Sequence, residues 1–221
     1  MTEATAPIFV FDAYGTLFDV HAVARRHADA LGAAGPRLSE LWRAKQLEYT
    51  WIYAGLGQSL AFREVTRLSL LYALDVCGLK SGLAPQLLES YQRLPVFPEV
   101  PDVLRQLKAR GAALAILSNS DTDMLDDLVG SAGLDGVFDH LISARAAGTF
   151  KPVPQVYALA TDIYGCQPIG ITFVSSNRWD AAGAKAFGLR TVWINRLRGP
   201  DEYPDWPADR IANDLSALLE C

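Results

Sequence analysis

The chain of 221 residues predicts an α/β protein: a doubly wound parallel sheet, interrupted after its first strand by an inserted helical cap. Three observations carry this. Five short apolar runs lack the polar alternation of a half-exposed strand, as strands covered on both faces do. Helix-period segments ending at glycine alternate with the later runs, the repeat of a Rossmann-like sheet. Between the first and second runs the alternation fails, and residues 20–94 carry helical patterns alone, too long a stretch for one crossover helix.

The first strand is read over residues 8–12, closing on Asp12. Helical segments follow near 20–31, 39–55, 60–77 and 84–93. The insertion is entered after Leu17-Phe18-Asp19 and left through Leu94-Pro95-Val96-Phe97-Pro98, whose prolines fix local dihedrals and resist helix continuation, as suits a hinge. The chain thus divides into a core, residues 1–19 and 95–221, and a cap, residues 20–94. Asp19 is read as a structural cap at the junction. A helix over 100–110 stops at Gly111, a strand takes 113–118, and a helix over 122–132 stops at Gly133. A strand at 140–143, a helix at 154–164 with Gly165, a strand at 171–175, a helix at 180–187 with Gly188 and a strand at 191–195 complete the order. Glycine just past a helix supplies the left-handed residue that ends it.

With 50% hydrophobic residues the chain can bury a substantial core. A net charge of -5 offers no basic footprint for nucleic acid. There is no apolar run long enough to span a bilayer, and Met1-Thr2-Glu3-Ala4-Thr5 lacks the basic and apolar regions of a signal peptide, so a soluble cytoplasmic protein is expected. Cys77, Cys166 and Cys221 are far apart and read as reduced, incidental thiols; His21, His27 and His140 are likewise unclustered. Zinc-protease, serine-hydrolase and P-loop motifs are absent.

In an open α/β sheet, ligands sit at the carboxyl ends of the strands. There the sequence places Asp12, Ser118-Asn119, Lys151-Pro152, and Ser175-Ser176-Asn177 with Asp180. One Asp after a strand is ordinarily a turn or helix-cap residue; polar groups gathered from four strands over one edge point to a site.

Phe9-Val10-Phe11-Asp12-Ala13-Tyr14-Gly15-Thr16-Leu17-Phe18-Asp19 resembles the first motif of the haloacid dehalogenase superfamily. Ser118-Asn119 resembles its second motif, Lys151-Pro152 its third, and Phe173-Val174-Ser175-Ser176-Asn177-Arg178-Trp179-Asp180 its fourth, so the likeness covers nearly the whole chain. Two departures bear on the reaction. Phosphoryl-transferring members carry Asp-x-Asp in the first motif, where this chain has Asp12-Ala13-Tyr14 and so lacks the second Asp that serves as acid and base. Their fourth motif carries Gly-Asp where Ser175-Ser176 stands here, leaving Asp12 and Asp180 as a poor oxygen set for magnesium.

These departures suit the L-2-haloacid dehalogenases, which the sequence resembles: halide needs no acid to leave. The resemblance implies attack by Asp12 on an (S)-2-haloalkanoate, an ester intermediate, and hydrolysis to an (R)-2-hydroxy acid, with no metal or cofactor. Lys151 stands beside the two Asp residues as a first cation, and the resemblance supplies Arg43 as the second. It makes Arg43, Asn119 and Trp179 the halide receptor, since guanidinium, amide N–H and ring edge all present positive potential. Thr16 and Ser175 are expected to orient Asp12, Ser118 to bind the substrate carboxylate, and Tyr14 to join the substrate-contacting set. Tyr157, Asn177 and Asp180 complete a water-positioning, charge-balancing shell, with Asp180 activating water. Each has a plainer competitor: Arg43 as a solvated helix face, Tyr157 and Trp179 as core aromatics, Lys151 as an exposed loop lysine. The resemblance also implies a homodimer. The rival readings are a phosphatase or phosphonatase of the same superfamily, and a non-catalytic binding protein of the same fold.

Overall fold

The computed structural model describes residues 6–220; Cys221 and the opening Met1-Thr2-Glu3-Ala4-Thr5 lie outside the described residues. In chain order the elements are β1 (Ile8–Phe11), α1 (Ala22–Arg26), α2 (Ala28–Leu31), α3 (Gly35–Gly55), α4 (Phe62–Val76) and α5 (Ala84–Tyr91). Then come α6 (Val100–Ala109), β2 (Ala113–Ser118), α7 (Thr122–Ser131), β3 (His140–Ser143), α8 (Pro154–Tyr164), β4 (Ile171–Ser175), α9 (Arg178–Phe187), β5 (Arg190–Ile194) and β6 (Arg210–Ala212). Among the described residues all six strands pair in parallel, in the order β3-β2-β1-β4-β5-β6. The winding reverses at β1, so the crevice beyond the carboxyl ends of β1 and β4 is the topological switch point.

The five expected strands match to within a residue at their ends. The sixth, β6, was not expected: it is three residues long and its Ile211 is exposed, so no buried apolar run marks it. Among the inserted helices, the segment expected near 20–31 is broken at His27, whose ψ of 24° leaves the helical region. The long α3 begins at Gly35, ahead of the expected 39, because Pro36 in its first turn costs no hydrogen bond there. The later helices end in left-handed glycines as expected, Gly165 at φ 59° and Gly188 at φ 106°.

The sheet separates two apolar layers. Phe9 and Phe11 face one side with Leu104, Leu107, Leu215 and Leu218, in a layer continuous with the inserted helices. Val10 faces the other with Val156, Tyr157, Phe173 and Ala184 of α8, β4 and α9. This is the burial of both strand faces that the unbroken apolar runs imply. The two connections to the insertion run side by side: Asp19 N–H donates to the Pro95 carbonyl (2.9 Å), Phe97 N–H donates to the Leu17 carbonyl (3.0 Å), and Phe18 and Val96 form an antiparallel bridge. Asp19 accepts from His21 N–H at 3.0 Å ahead of α1 and pairs with Arg25.

Candidate active site

Asp12 follows β1 and is nearly enclosed. Its Oδ2 accepts from Thr16 Oγ1 (2.9 Å) and Asn177 Nδ2 (2.9 Å), and its Oδ1 from Lys151 Nζ (3.1 Å). Thr16 is aimed by its neighbour: its Oγ1 accepts the Ser176 N–H at 2.8 Å, which commits its own proton to Asp12. Lys151 is 1% exposed and also donates to Asp180 Oδ2 at 2.9 Å, so one ammonium serves two buried carboxylates. Its backbone N–H is held by Asn119 Oδ1 at 2.8 Å, which ties the end of β2 to the lysine loop.

Asp180 lies in the first turn of α9 with no exposure, and both its oxygens are engaged: Tyr157 donates to Oδ1 at 2.8 Å, and Ser175 Oγ and Lys151 to Oδ2. Burial pushes its carboxyl up to about 6, the Asp12 charge adds to the rise, and the Lys151 ammonium opposes it. Burial, reinforced by the Asp180 charge, holds the Tyr157 phenol well above its ordinary value, so it stays a neutral donor.

Asp12, Thr16, Lys151, Tyr157, Ser175, Asn177 and Asp180 therefore form one hydrogen-bonded network, which Asn119 joins through the Lys151 amide. Arg43 reaches it from α3: Nη2 lies 3.2 Å from the Tyr14 carbonyl and 3.4 Å from Asn177 Oδ1. Arg43 is thus no solvated face, and Lys151 no exposed loop lysine.

One partner differs from expectation. Ser175 donates to Asp180 and not to Asp12, because Asp12 Oδ2 is already filled by Thr16 and Asn177, and the turn into α9, closed by Asn177 N–H on Ser175 Oγ (3.1 Å), folds Asp180 over it. Tyr157 is fully buried edge-on to Phe173 with its hydroxyl spent on Asp180, so it supports that carboxylate from below and does not line open space. Ser118 Oγ accepts from Ser120 N–H (3.2 Å) within its own turn. Tyr14 stacks on Tyr91 (ring centroids 5.3 Å apart), and its hydroxyl lies 3.0 Å from Ser120 Oγ. Trp179 meets Trp51 of α3 edge-on at 5.5 Å, lines an apolar cavity of about 520 Å³ with Pro152, Gly183 and Trp206, and keeps its indole N–H buried without a partner.

Sequence reasoning missed Ser120, which meets the Tyr14 hydroxyl, and gave Ser176 a place at the edge but no role, whereas its backbone N–H holds Thr16. It also missed Gln46, which accepts from Arg43 Nη1 at 2.8 Å. Gln46 lies three residues from Arg43 on one helix face, and that spacing was the available signal.

The donor set does not fit magnesium. All four carboxylate oxygens of Asp12 and Asp180 already accept from protein donors. Among the described residues no group of three His, Cys, Asp or Glu is placed to hold a metal ion, whereas a hard dication takes six or more oxygens.

A buried carboxylate at a sheet switch point, braced by a lysine and a threonine, fits what the sequence comparison finds: the family model for haloacid dehalogenase-like hydrolases matches residues 7–188. The chain belongs to the haloacid dehalogenase-like hydrolase family. Within it, the chain is 46% identical to haloacetate dehalogenase H-2 of Moraxella sp. (strain B), with 84% of each chain covered. It is 45% identical to the (S)-2-haloacid dehalogenase of Pseudomonas sp. (strain YL), covering 95% of this chain and 91% of that one. A solved structure of L-2-haloacid dehalogenase from Xanthobacter autotrophicus with chloropropionic acid covalently bound superposes with a TM-score of 0.90 at 35% identity, with 98% of each chain covered.

Proposed function

We propose that this chain is an (S)-2-haloacid dehalogenase that hydrolyses small (S)-2-haloalkanoates to (R)-2-hydroxy acids and halide. One observation carries the choice within the family. Where phosphoryl transfer needs a carboxylic acid to protonate its leaving group, this chain has Tyr14, stacked beneath the insertion and directed at Ser120, and burial holds its phenol far above the range in which it gives up a proton. A leaving halide needs no such acid. The identities to (S)-2-haloacid dehalogenases support the same reading.

Asp12 attacks C2 in line with the carbon–halogen bond, which breaks with its electron pair leaving on halide; an ester to Asp12 forms and C2 inverts. Lys151, Thr16 and Asn177 hold the carboxylate in one orientation, so little freedom is lost on reaching the transition state. Water then adds to the Asp12 carbonyl carbon as one of its protons passes to Asp180; the bond to the substrate oxygen breaks, that oxygen takes the proton back from Asp180 to give the hydroxy acid, and the second water proton leaves Asp12 to solvent, restoring both carboxylates. The insertion, residues 20–94, acts as the cap over a core of residues 1–19 and 95–221 and carries Arg43 to the halide side; Asn119 and Trp179 complete that receptor. Ser118 receives the substrate carboxylate. No metal or cofactor takes part. The functional unit is a homodimer, a reading supported by the exposed apolar residues Trp51 and Ile52 on α3, Leu56 just past its end, and Tyr72 and Val76 on α4.

Halide release from each enantiomer of 2-chloropropionate, with and without EDTA, tests the activity: the (S) enantiomer alone should give chloride and D-lactate, with EDTA without effect. Turnover of phosphate esters abolished by EDTA would support the phosphatase reading. A single turnover in oxygen-18 water tests the covalent step. The label belongs on the peptide containing Asp12; label in the product alone would make water the nucleophile.

A further inference from the structure

Arg43 enters the site from α3, and one turn along the same helix stands Gln46, a side chain 1% exposed with no part in the chemistry above. Its Oε1 accepts from Arg43 Nη1 at 2.8 Å and from the Tyr91 hydroxyl at 3.1 Å, and its Nε2 donates to Thr66 Oγ1 at 2.8 Å. The sense of this amide is dictated one residue away. Thr66 gives its single hydroxyl proton to the Phe62 carbonyl at 2.8 Å, so toward Gln46 that oxygen accepts only. The amide N–H₂ must therefore face Thr66, and the amide oxygen must face Arg43; reversed, it would set donors against the guanidinium. Arg43's contacts with the core, at 3.2 and 3.4 Å, are longer than its contact with Gln46.

We propose that Gln46 is a positioning residue for carbon–halogen cleavage: fixed by Thr66 on α4 and Tyr91 on α5, it aims the Arg43 guanidinium across the substrate from Asp12. The inference rests on the reading that Arg43 receives halide. A neutral amide suits the task better than a carboxylate, which would also hold the guanidinium but cancel the positive potential that draws off the leaving anion.

The test compares kcat/KM, which reports the steps through ester formation, for (S)-2-chloropropionate and (S)-2-bromopropionate in wild type, Gln46→Met and Gln46→Glu. Relaxation measurements on the Arg43 guanidinium nitrogens accompany it. Gln46→Met keeps the volume and removes the acceptor, and should lower the chloride value about tenfold or more, as loss of a charge-assisted hydrogen bond does. Its effect on bromide, the better leaving group, should be smaller. Gln46→Glu keeps Arg43 ordered and should show the same bias toward losing chloride; it also carries the comparison if Gln46→Met does not fold. Equal losses with both substrates, the mark of a packing role, overturn the proposal. So does an Arg43 guanidinium as ordered in Gln46→Met as in wild type, a result that needs no turnover. A wild type that releases no halide from either substrate overturns the dehalogenase reading instead, and the relaxation measurement still decides whether Gln46 positions Arg43.

Discussion

At the scale of single residues, the proposed chemistry turns on two carboxylates sharing one lysine. Asp180, held up to about 6 mainly by burial, accepts a proton only when ionised. Ester hydrolysis should therefore fall as pH drops through its acid limb, approaching tenfold per unit below it. Esterification removes the Asp12 charge that helps raise Asp180, so the limb in the ester intermediate should lie below 6 and not above it. Single-turnover ester hydrolysis followed against pH checks this, and Asp180→Asn should accumulate a heavier peptide containing Asp12. Unimpaired hydrolysis in that variant would take water activation away from Asp180. Asp12, Lys151 and Asp180 were legible in the sequence because each closes or follows a strand. The partner of Ser175 was not, since it depends on how tightly the turn into α9 folds back. Gln46 was marked only by its three-residue spacing from Arg43; what fixes it, Thr66 of α4 and Tyr91 of α5, comes from elements whose packing the sequence does not place.

At the scale of elements, α8 and α9 meet at Gly183. A Cβ there would lie 2.6 Å from Pro152 Cβ and 2.6 Å from the Tyr157 hydroxyl, far inside contact distance. Gly183→Ala should force α9 away from the lysine loop and pull Tyr157 off Asp180. Overpacking of this kind costs about 1–3 kcal/mol. A thermal melt should show a fall of several degrees, and halide release should be largely lost; a variant with wild-type melting and rate would mean that α9 shifts freely. The buried strands were readable because their apolar runs are unbroken, and the later helices because glycine ends them. The short edge strand β6 was unreadable, being drawn into the sheet by pairing with β5 while its Ile211 faces solvent. The break between α1 and α2 was missed because His27 carries none of the usual punctuation of glycine or proline.

At the scale of the molecule, the insertion closes on the rest of the chain through few polar contacts. Arg63 at the start of α4 donates its backbone N–H to Asp121 at 3.0 Å, and its guanidinium pairs with Asp123 at 2.5 Å, both at the start of α7, shortly after Ser118-Asn119. The pair is solvent-exposed and worth less than about 1 kcal/mol to stability. Arg63→Glu should therefore leave the melting temperature nearly unchanged while raising KM several-fold, more at low salt than at high; an unchanged KM at every ionic strength would show that this contact plays no part in closure. The paired connections, Asp19 with Pro95 and Phe97 with Leu17, bear on how the chain folds. Joining them through an unstructured segment of roughly 80 residues would cost about 4 kcal/mol of loop-closure entropy, and β1 cannot meet β2 until that cost is met. Helices α1 to α5, packed among themselves, would bring the two strands of the ribbon together as neighbours. Folding should then run from the insertion outward: the inserted helices early, and the sheet that carries Asp12 only after them.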